Sequence, residues 1–318
     1  MLTLAEAKIG MRDHIDIQVH DTFRRGSLLL DRLIFDNAAS AGTGGSTLTY
    51  GYLQLLSPAT ASFRAINTEY TPVEAKRREL TAYCRVFGGK FGIDRVIADT
   101  SGAIDEMTFQ MEQQIAGAIN LFHYTTINGD RATNPLEYDG LDTILTGAST
   151  EFTPGEINLS TSALMSSNYL EFSDRLIEFM SLMDGRPTLL LMNSLLKAKI
   201  VAVAHRMGYF TQAESAFGVP VDMWDNIPLV DLENYFDPAT QTTRPVVGID
   251  AGLTDLYAVQ IAQDGFHGIS PTGSKIINTY FPDMNLPGAV KNGEVEMVAG
   301  VVLKNQLKAG VMRGIRVQ

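Results

Sequence analysis

Four short patterns contain residue types able to do chemistry. Val247-Gly248-Ile249-Asp250-Ala251-Gly252-Leu253-Thr254 has the Asp-x-Gly-x-Thr form of a turn whose backbone N–H groups and acid handle phosphate and Mg²⁺. Such a turn opens a long domain, yet only 64 residues separate Thr254 from residue 318, so a tight turn between two strands explains it better. Glu74-Ala75-Lys76 has the Glu-x-Lys ending of a metal-dependent nuclease signature, which needs a second carboxylate upstream on the same sheet. The nearest upstream acid is Glu69, before Pro72, and a charged hairpin tip accounts for the run. His14, His20, His123, His205 and His267 form no i, i+4 pair, so no His-Glu-x-x-His zinc site exists. Gly268-Ile269-Ser270-Pro271-Thr272 misses the nucleophile elbow at its last position, and no phosphate-cradling Gly-x-x-x-x-Gly-Lys sequence occurs. The carboxylate pairs Asp139/Asp142 and Asp222/Asp225 read as solvated loop acids. No catalytic residue, cofactor site or metal site emerges, and the chain does not read as an enzyme.

Composition narrows the class further. The 318 residues are 45% hydrophobic and 19% charged, enough for a sizeable core and about two domains. Cys84 is the single cysteine, which excludes an intrachain disulfide and suits a reducing site of synthesis. Residues 37–63 contain no charge, but the cluster Gly42-Thr43-Gly44-Gly45-Ser46-Thr47 breaks any apolar run long enough for a membrane span. Net charge is −11 and unevenly spread: 12 Lys/Arg against 11 Asp/Glu in residues 1–100, but 6 against 16 in residues 140–270. That balance argues against a broad basic face gripping DNA and suggests two surfaces with different neighbours.

The elements that would position these residues follow from periodicity. Thr3 and Glu6 have capping-box spacing, and residues 14–25 suit a short helix. Residues 59–70 and 80–94 have strand character around a charged turn at 71–79, which predicts a long hairpin with arms of roughly 35 Å. A lone two-stranded ribbon is marginal in water, so it needs a surface, and another copy of the chain can provide it. Ile104, Met107, Met111, Ile115, Ile119 and Phe122 predict one long helix over residues 104–126. Further helices are expected at 162–183 and 195–207, the second closed by Gly208. Strands are expected at 188–192, 219–223, 246–250, 255–261, 275–281, 294–303 and 310–317. The class is α+β.

Several stretches in order resemble the major capsid proteins of tailed bacteriophages. These are Asp31-Arg32-Leu33-Ile34-Phe35, Thr49-Tyr50-Gly51-Tyr52, the run from Ala61 to Pro72, the run from Phe87 to Ile97, and Ile127-Asn128-Gly129-Asp130 with Tyr138-Asp139-Gly140-Leu141. The resemblance implies the Hong Kong phage-type capsid fold. Its expected parts are an N-terminal arm (1–58), an extended β-hairpin loop (59–94), a peripheral domain with a long spine helix (95–139 and 272–318) and an axial domain (140–271).

The implied function is a structural shell subunit that self-assembles as hexamers and pentamers into a virion head around double-stranded DNA, formed in the host bacterial cytoplasm. Phe63, Arg64, Tyr70, Lys76, Arg77, Arg78, Tyr83 and Phe87 of the hairpin loop are expected to touch neighbouring subunits. Gly88, Gly89 and Gly92, with the glycines at 42, 44 and 45, are expected to act as hinges. Scaffolding, portal and decoration proteins are the further partners implied, with DNA held without sequence-specific contacts and no membrane. The start of the chain lacks a charged helical extension, which points to a separate scaffolding protein or none. Two alternatives stand beside this reading: an encapsulin-like nanocompartment shell, and a phosphate-binding enzyme using Asp250, Gly252 and Thr254.

Overall fold

The computed structural model describes residues 27–37, 48–57, 59–100, 106–208, 211–214, 220–238, 240–271, 276–283 and 287–318. The expected capping box at Thr3, the helix at 14–25 and the glycines at 42, 44 and 45 lie outside them. Ser27 caps α1 (Leu28–Arg32) by accepting from the Leu30 amide, and β1 (Phe35–Asn37) follows. Next come β2 (Thr49–Ser57), β3 (Lys76–Tyr83), β4 (Arg85–Asp94), α2 (Arg95–Thr100) and the long helix α3 (Glu106–Asn128). The middle of the chain forms α4 (Leu141–Leu145), β5 (Glu151–Phe152), β6 (Ile157–Asn158), α5 (Ser162–Ser181), β7 (Leu189–Met192) and α6 (Ser194–Met207). It continues through β8 (Thr211–Glu214), β9 (Pro220–Trp224), β10 (Ile227–Asp231), β11 (Asn234–Asp237) and β12 (Thr242–Pro245). The last part gives β13 (Ile249–Asp250), β14 (Leu253–Val259), β15 (Phe266–Ser270), β16 (Ile277–Tyr280), β17 (Val290–Leu303) and β18 (Ala309–Arg316).

These strands build two main sheets. In the first, β1, β15, β17 and β16 pair in that order, and β4 joins β17. In the second the order is β5, β18, β14, β7, β10, β9, β8, with β13 on β14 and β6 on β18. Strand β7 reads Leu-Leu-Leu-Met and is buried throughout, because both of its faces carry a core. Leu189 and Leu191 turn toward Tyr257, Val259, Val311 and Phe122, while Leu190 and Met192 turn toward Phe172, Leu176, Leu196 and Ile200 of α5 and α6.

The two helices over the second sheet are set by their caps. Thr161 and Asn193 accept from the Leu164 and Leu196 amides, and Gly208 closes α6 in the left-handed region at φ 73. Helix α3 covers 23 residues, about 35 Å, and lays Met111, Ala118 and Phe122 on the first sheet. Phe122 is fully buried among Phe35, Phe87 and Tyr138, their ring centres 6.3 to 6.4 Å from its own.

Three expectations need correction. The ribbon pairs β2 with β3, Thr49↔Tyr83 through Ser57↔Lys76, so its arms are neither 59–70 nor 80–94. Residues 85–94 instead belong to the first sheet as β4. The expected division at 271/272 also fails: β15 joins the first sheet and the C-terminal β18 joins the second. Both are apolar strands, and nothing in their residue types says which sheet they enter.

On α3, His123 is buried, and its Nε2 lies 2.6 Å from the Ser27 hydroxyl that caps α1. Burial pushes the imidazole from its ordinary 6.5 down to about 4. Between those values the unfolded chain holds a proton that the folded chain does not, so stability falls as pH drops from 6.5 toward 4. The full loss is on the order of 3 kcal/mol. In denaturant titrations, His123→Leu should lose less stability between pH 7 and pH 5 than the unaltered chain does. An equal loss in both would refute this role.

Candidate assembly surface

The ribbon of β2 and β3 has two unlike faces. Side chains alternate along β2, so Tyr50, Tyr52 and Gln54 turn inward while Gly51, Leu53 and Leu55 turn out. Tyr50, Tyr52 and Ala82 pack on Cys84, which lies between β3 and β4, and on Ile269 and Val302 of the first sheet. Polar bonds pin the same root. The Tyr50 hydroxyl donates to Asp36 Oδ2 at 2.7 Å, Gln54 Nε2 donates to the Lys304 carbonyl at 3.2 Å, and Arg78 Nε donates to Gln54 Oε1 at 2.8 Å. The bond from Tyr50 holds Asp36 below the usual carboxylate range, and burial, then that same bond, pushes the Tyr50 phenol up to about 12. The root is therefore supported by its own subunit, contrary to the expectation that the whole ribbon needs a neighbour.

The tip behaves differently. Residues 59–75 leave the ribbon as irregular chain, exposed at every position. Phe63 is 107% exposed and Ile66 89%, so neither touches its own subunit to any useful extent. The tip is nevertheless ordered locally. The Thr68 amide and hydroxyl both donate to the Ala65 carbonyl, Asn67 sits at φ 67, and Arg64 Nη1 donates to the Ala65 and Thr68 carbonyls. The Arg64 guanidinium also lies 5.2 Å from the centre of the Tyr70 ring.

The eight expected contact residues fall into three groups. Phe63, Arg64 and Tyr70 are exposed on the tip, and Lys76, Arg77 and Arg78 are exposed on β3. Tyr83 is half-buried, with the guanidinium groups of Arg131 and Arg85 at 4.3 and 5.3 Å from its ring centre. Phe87 is half-buried: it stacks on Phe122 at an interplanar angle of 16° and packs against the subunit's own core. Leu53 and Leu55, 61% and 59% exposed on β2, were not expected. The alternation Tyr50-Gly51-Tyr52-Leu53-Gln54-Leu55 is the signal that identifies them.

The expected hinge glycines sit inside a ladder. All three lie in β4, paired with β17, and none has positive φ. At Gly88 a Cβ would fall on the Val295 carbonyl, a backbone group; at Gly89 it would meet only the amide end of Gln114. At Gly92 the nearest atoms are 3.2 and 3.3 Å away. Close approach explains Gly88, and bending is not required of any of them.

The patterns with chemical residue types find structural uses. Ala251 and Gly252, at φ 49 and 83, form a two-residue hairpin turn between β13 and β14. The Thr254 hydroxyl donates to the Gly248 carbonyl at 2.8 Å and accepts from Asn193 Nδ2 at 2.7 Å, tying that hairpin to the cap of α6. It is buried. Among the described residues no group of His, Cys, Asp and Glu is placed to hold a metal ion, and no helix is long and apolar enough to cross a membrane.

No protein-family model matches the sequence, and no curated protein matches it. Solved structures do. The chain is similar to the holo-SrpI encapsulin complex from Synechococcus elongatus PCC 7942, with TM-score 0.62 and 14% identity, covering 100% of this chain and 97% of that one. It is similar to a chain of Mycobacterium phage Cain, with TM-score 0.60 and 12% identity over 100% and 99% of the two chains. The capsid of the native GTA particle matches at TM-score 0.56 and 11% identity, over 91% of this chain and 92% of that one. The fold is thus the α+β phage major capsid fold, of Hong Kong phage type.

The glycine geometry separates two neighbouring substitutions. Gly88→Ala forces backbone to move and should cost about 1–3 kcal/mol in chemical denaturation. Gly89→Ala displaces only a flexible glutamine end and should cost well under half as much. Equal costs would show that close approach at Gly88 is not the constraint.

Proposed function

We propose that the chain is the structural major capsid subunit of a tailed bacteriophage, which self-assembles as hexamers and pentamers into a virion shell around double-stranded DNA. The observation that carries this reading is the tip: on a capsid fold, the most exposed large apolar side chains among the described residues, Phe63 and Ile66, stand at the end of a ribbon whose root is anchored. Apolar groups displayed this way are stabilised only by contact with another molecule. The same surface supports Arg64, Tyr70, Lys76, Arg77 and Arg78 as contacts between copies, with Tyr83 contributing at the ribbon's base.

In this reading β2, β3 and the tip form the extended loop. Sheet one and α3 form the peripheral domain, and sheet two with α5 and α6 the axial domain. Assembly would occur in the bacterial cytoplasm. Packaged DNA would lie against the shell without sequence-specific contacts, as a net charge of −11 suits. Scaffolding, portal and decoration proteins are further partners the shell would use. The likeness to an encapsulin supports a second reading, a nanocompartment shell. Particle contents decide between them: nuclease-protected DNA for one, co-purifying protein for the other.

The test uses the full chain in size-exclusion chromatography and negative-stain microscopy. Large closed particles are expected. The double variant Phe63→Asp, Ile66→Asp should melt within about 0.5 kcal/mol of the unaltered subunit, since both sites are exposed, yet yield no particles. Normal particles from that variant would sink the proposal.

A further inference from the structure

His267 is fully buried on β15, and its two ring nitrogens are unequally served. Nδ1 lies 3.3 Å from the Gly265 carbonyl oxygen, which can only accept, so in the neutral ring Nδ1 carries the proton. Nε2 is then a bare acceptor, and it finds no hydrogen-bond partner among the described residues.

The ring sits where the ribbon joins the subunit. The Tyr50 ring of β2 packs on it edge to face, with centres 6.0 Å apart and planes at 75°. The Tyr50 hydroxyl donates to Asp36 Oδ2 on β1, and Asp36 Oδ1 accepts from the Asn37 amide, so both carboxylate oxygens are in use. Lys304, just beyond β17, brings its ammonium 5.2 Å from the Tyr50 ring centre and 4.0 Å from Asp36. Asp264, on the turn before β15, is taken by Lys308. Tyr52 and Cys84 pack beside Tyr50 at the same root.

A proton arriving at Nε2 has no place in this arrangement. The new N–H needs an acceptor, and the new charge stands near that of Lys304. Water can supply the acceptor only where Tyr50 lifts away. Asp36 can supply it only by giving up its bond from Tyr50. Either route breaks the contact that seats β2 on the first sheet.

We propose that His267 and Tyr50 form a proton-operated latch: a proton bound at His267 frees the root of the ribbon from the first sheet while both sheets stay folded. Burial first, and then the Lys304 charge, hold the imidazole below its ordinary 6.5. The closed root thus binds the proton less well than the open one, so closure is favoured above pH 6.5 and weakens as pH falls below it. No carboxylate, phenol or thiol at the root changes charge in that window. Bonds from Tyr50 and Lys308 hold Asp36 and Asp264 below the usual carboxylate range, and burial raises Tyr50, Tyr52 and Cys84. The latch belongs to the single subunit and stands whether or not the chain builds a shell.

Hydrogen exchange of the full chain, followed by mass spectrometry and corrected for the intrinsic rate at each pH, reads the latch. Between pH 7 and pH 5, protection over residues 49–57 and 76–83 should fall about tenfold. His267→Gln should abolish that fall and leave the pH response of residues 189–192 in β7, to which His123 contributes, as it was. Lys304→Met keeps the buried ring in place and should shrink the fall, because a charge opposing the imidazolium is gone. Ribbon protection that ignores pH overturns the latch, as does an equal fall in His267→Gln or a change at β7 as large as that in the ribbon. Should His267→Gln fail to fold, Lys304→Met carries the test, and an undiminished fall rejects the proposal.

Discussion

Ten consecutive residue pairs, Arg85↔Ala299 through Asp94↔Val290, join β4 to β17, and much of the molecule's outline depends on that ladder. Over Glu294 to Met297 the opposite edge of β17 is paired with β16, so β17 cannot slide past β4 without breaking a second ladder. Strand β4 leads through Cys84 into β3 at one end and through α2 toward α3 at the other. The direction of the ribbon and the placement of the long helix are thus fixed by the same register. A slip of one residue would turn Phe91 and Ile93 out of the core and expose their aromatic and aliphatic surface. Gly88 is what lets the ladder close at its tightest point.

From that anchor the ribbon divides by energetics. At the root, two tyrosines pack on the first sheet, Gln54 bonds the Lys304 carbonyl just beyond β17, and Arg78 is held by Gln54, so order there needs no other molecule. At the tip, a phenylalanine and an isoleucine remain in water. Burying each against a partner contributes roughly 1.5–3 kcal/mol, reduced by the entropy of association. A shell built from many contacts of this size can correct misplaced subunits before it closes. A rigid root with a preformed but unsupported tip suits that requirement.

Charge has a more local meaning than its distribution along the chain suggests. Arg313 on β18 meets Asp142, Glu151 and Asp255 from three other segments, and Arg316 pairs with Glu156. The Tyr257 hydroxyl donates to Asp142 in the same cluster. Burial raises the Asp255 carboxyl even with Arg313 beside it, which marks the cluster as partly withdrawn from water. Lys197–Asp222 and Arg186–Asp225 account for further acids. Much of the acidity of residues 140–270 therefore ties loops to the second sheet. The contrast with residues 1–100 is not by itself evidence of two faces with different neighbours.

Local rules were enough for the elements whose own residues decide them. The long helix follows from apolar residues three and four apart, α6 from Asn193 at one end and Gly208 at the other, and β7 from an unbroken apolar run. The turn at Ala251-Gly252 was legible for the same reason, because a two-residue hairpin needs backbone in the left-handed region. The pairing of β2 with β3 was not legible, since Lys76-Arg77-Arg78-Glu79 looks like a turn unless one knows that β3 lies in a ribbon wetted on one side. Nor could residue types show that β4 leaves the ribbon for β17, that Phe87 turns onto Phe122, or that β15 and β18 exchange sheets. Strand partners are chosen by burial across residues distant in sequence, and only the assembled core decides which of several apolar strands meet.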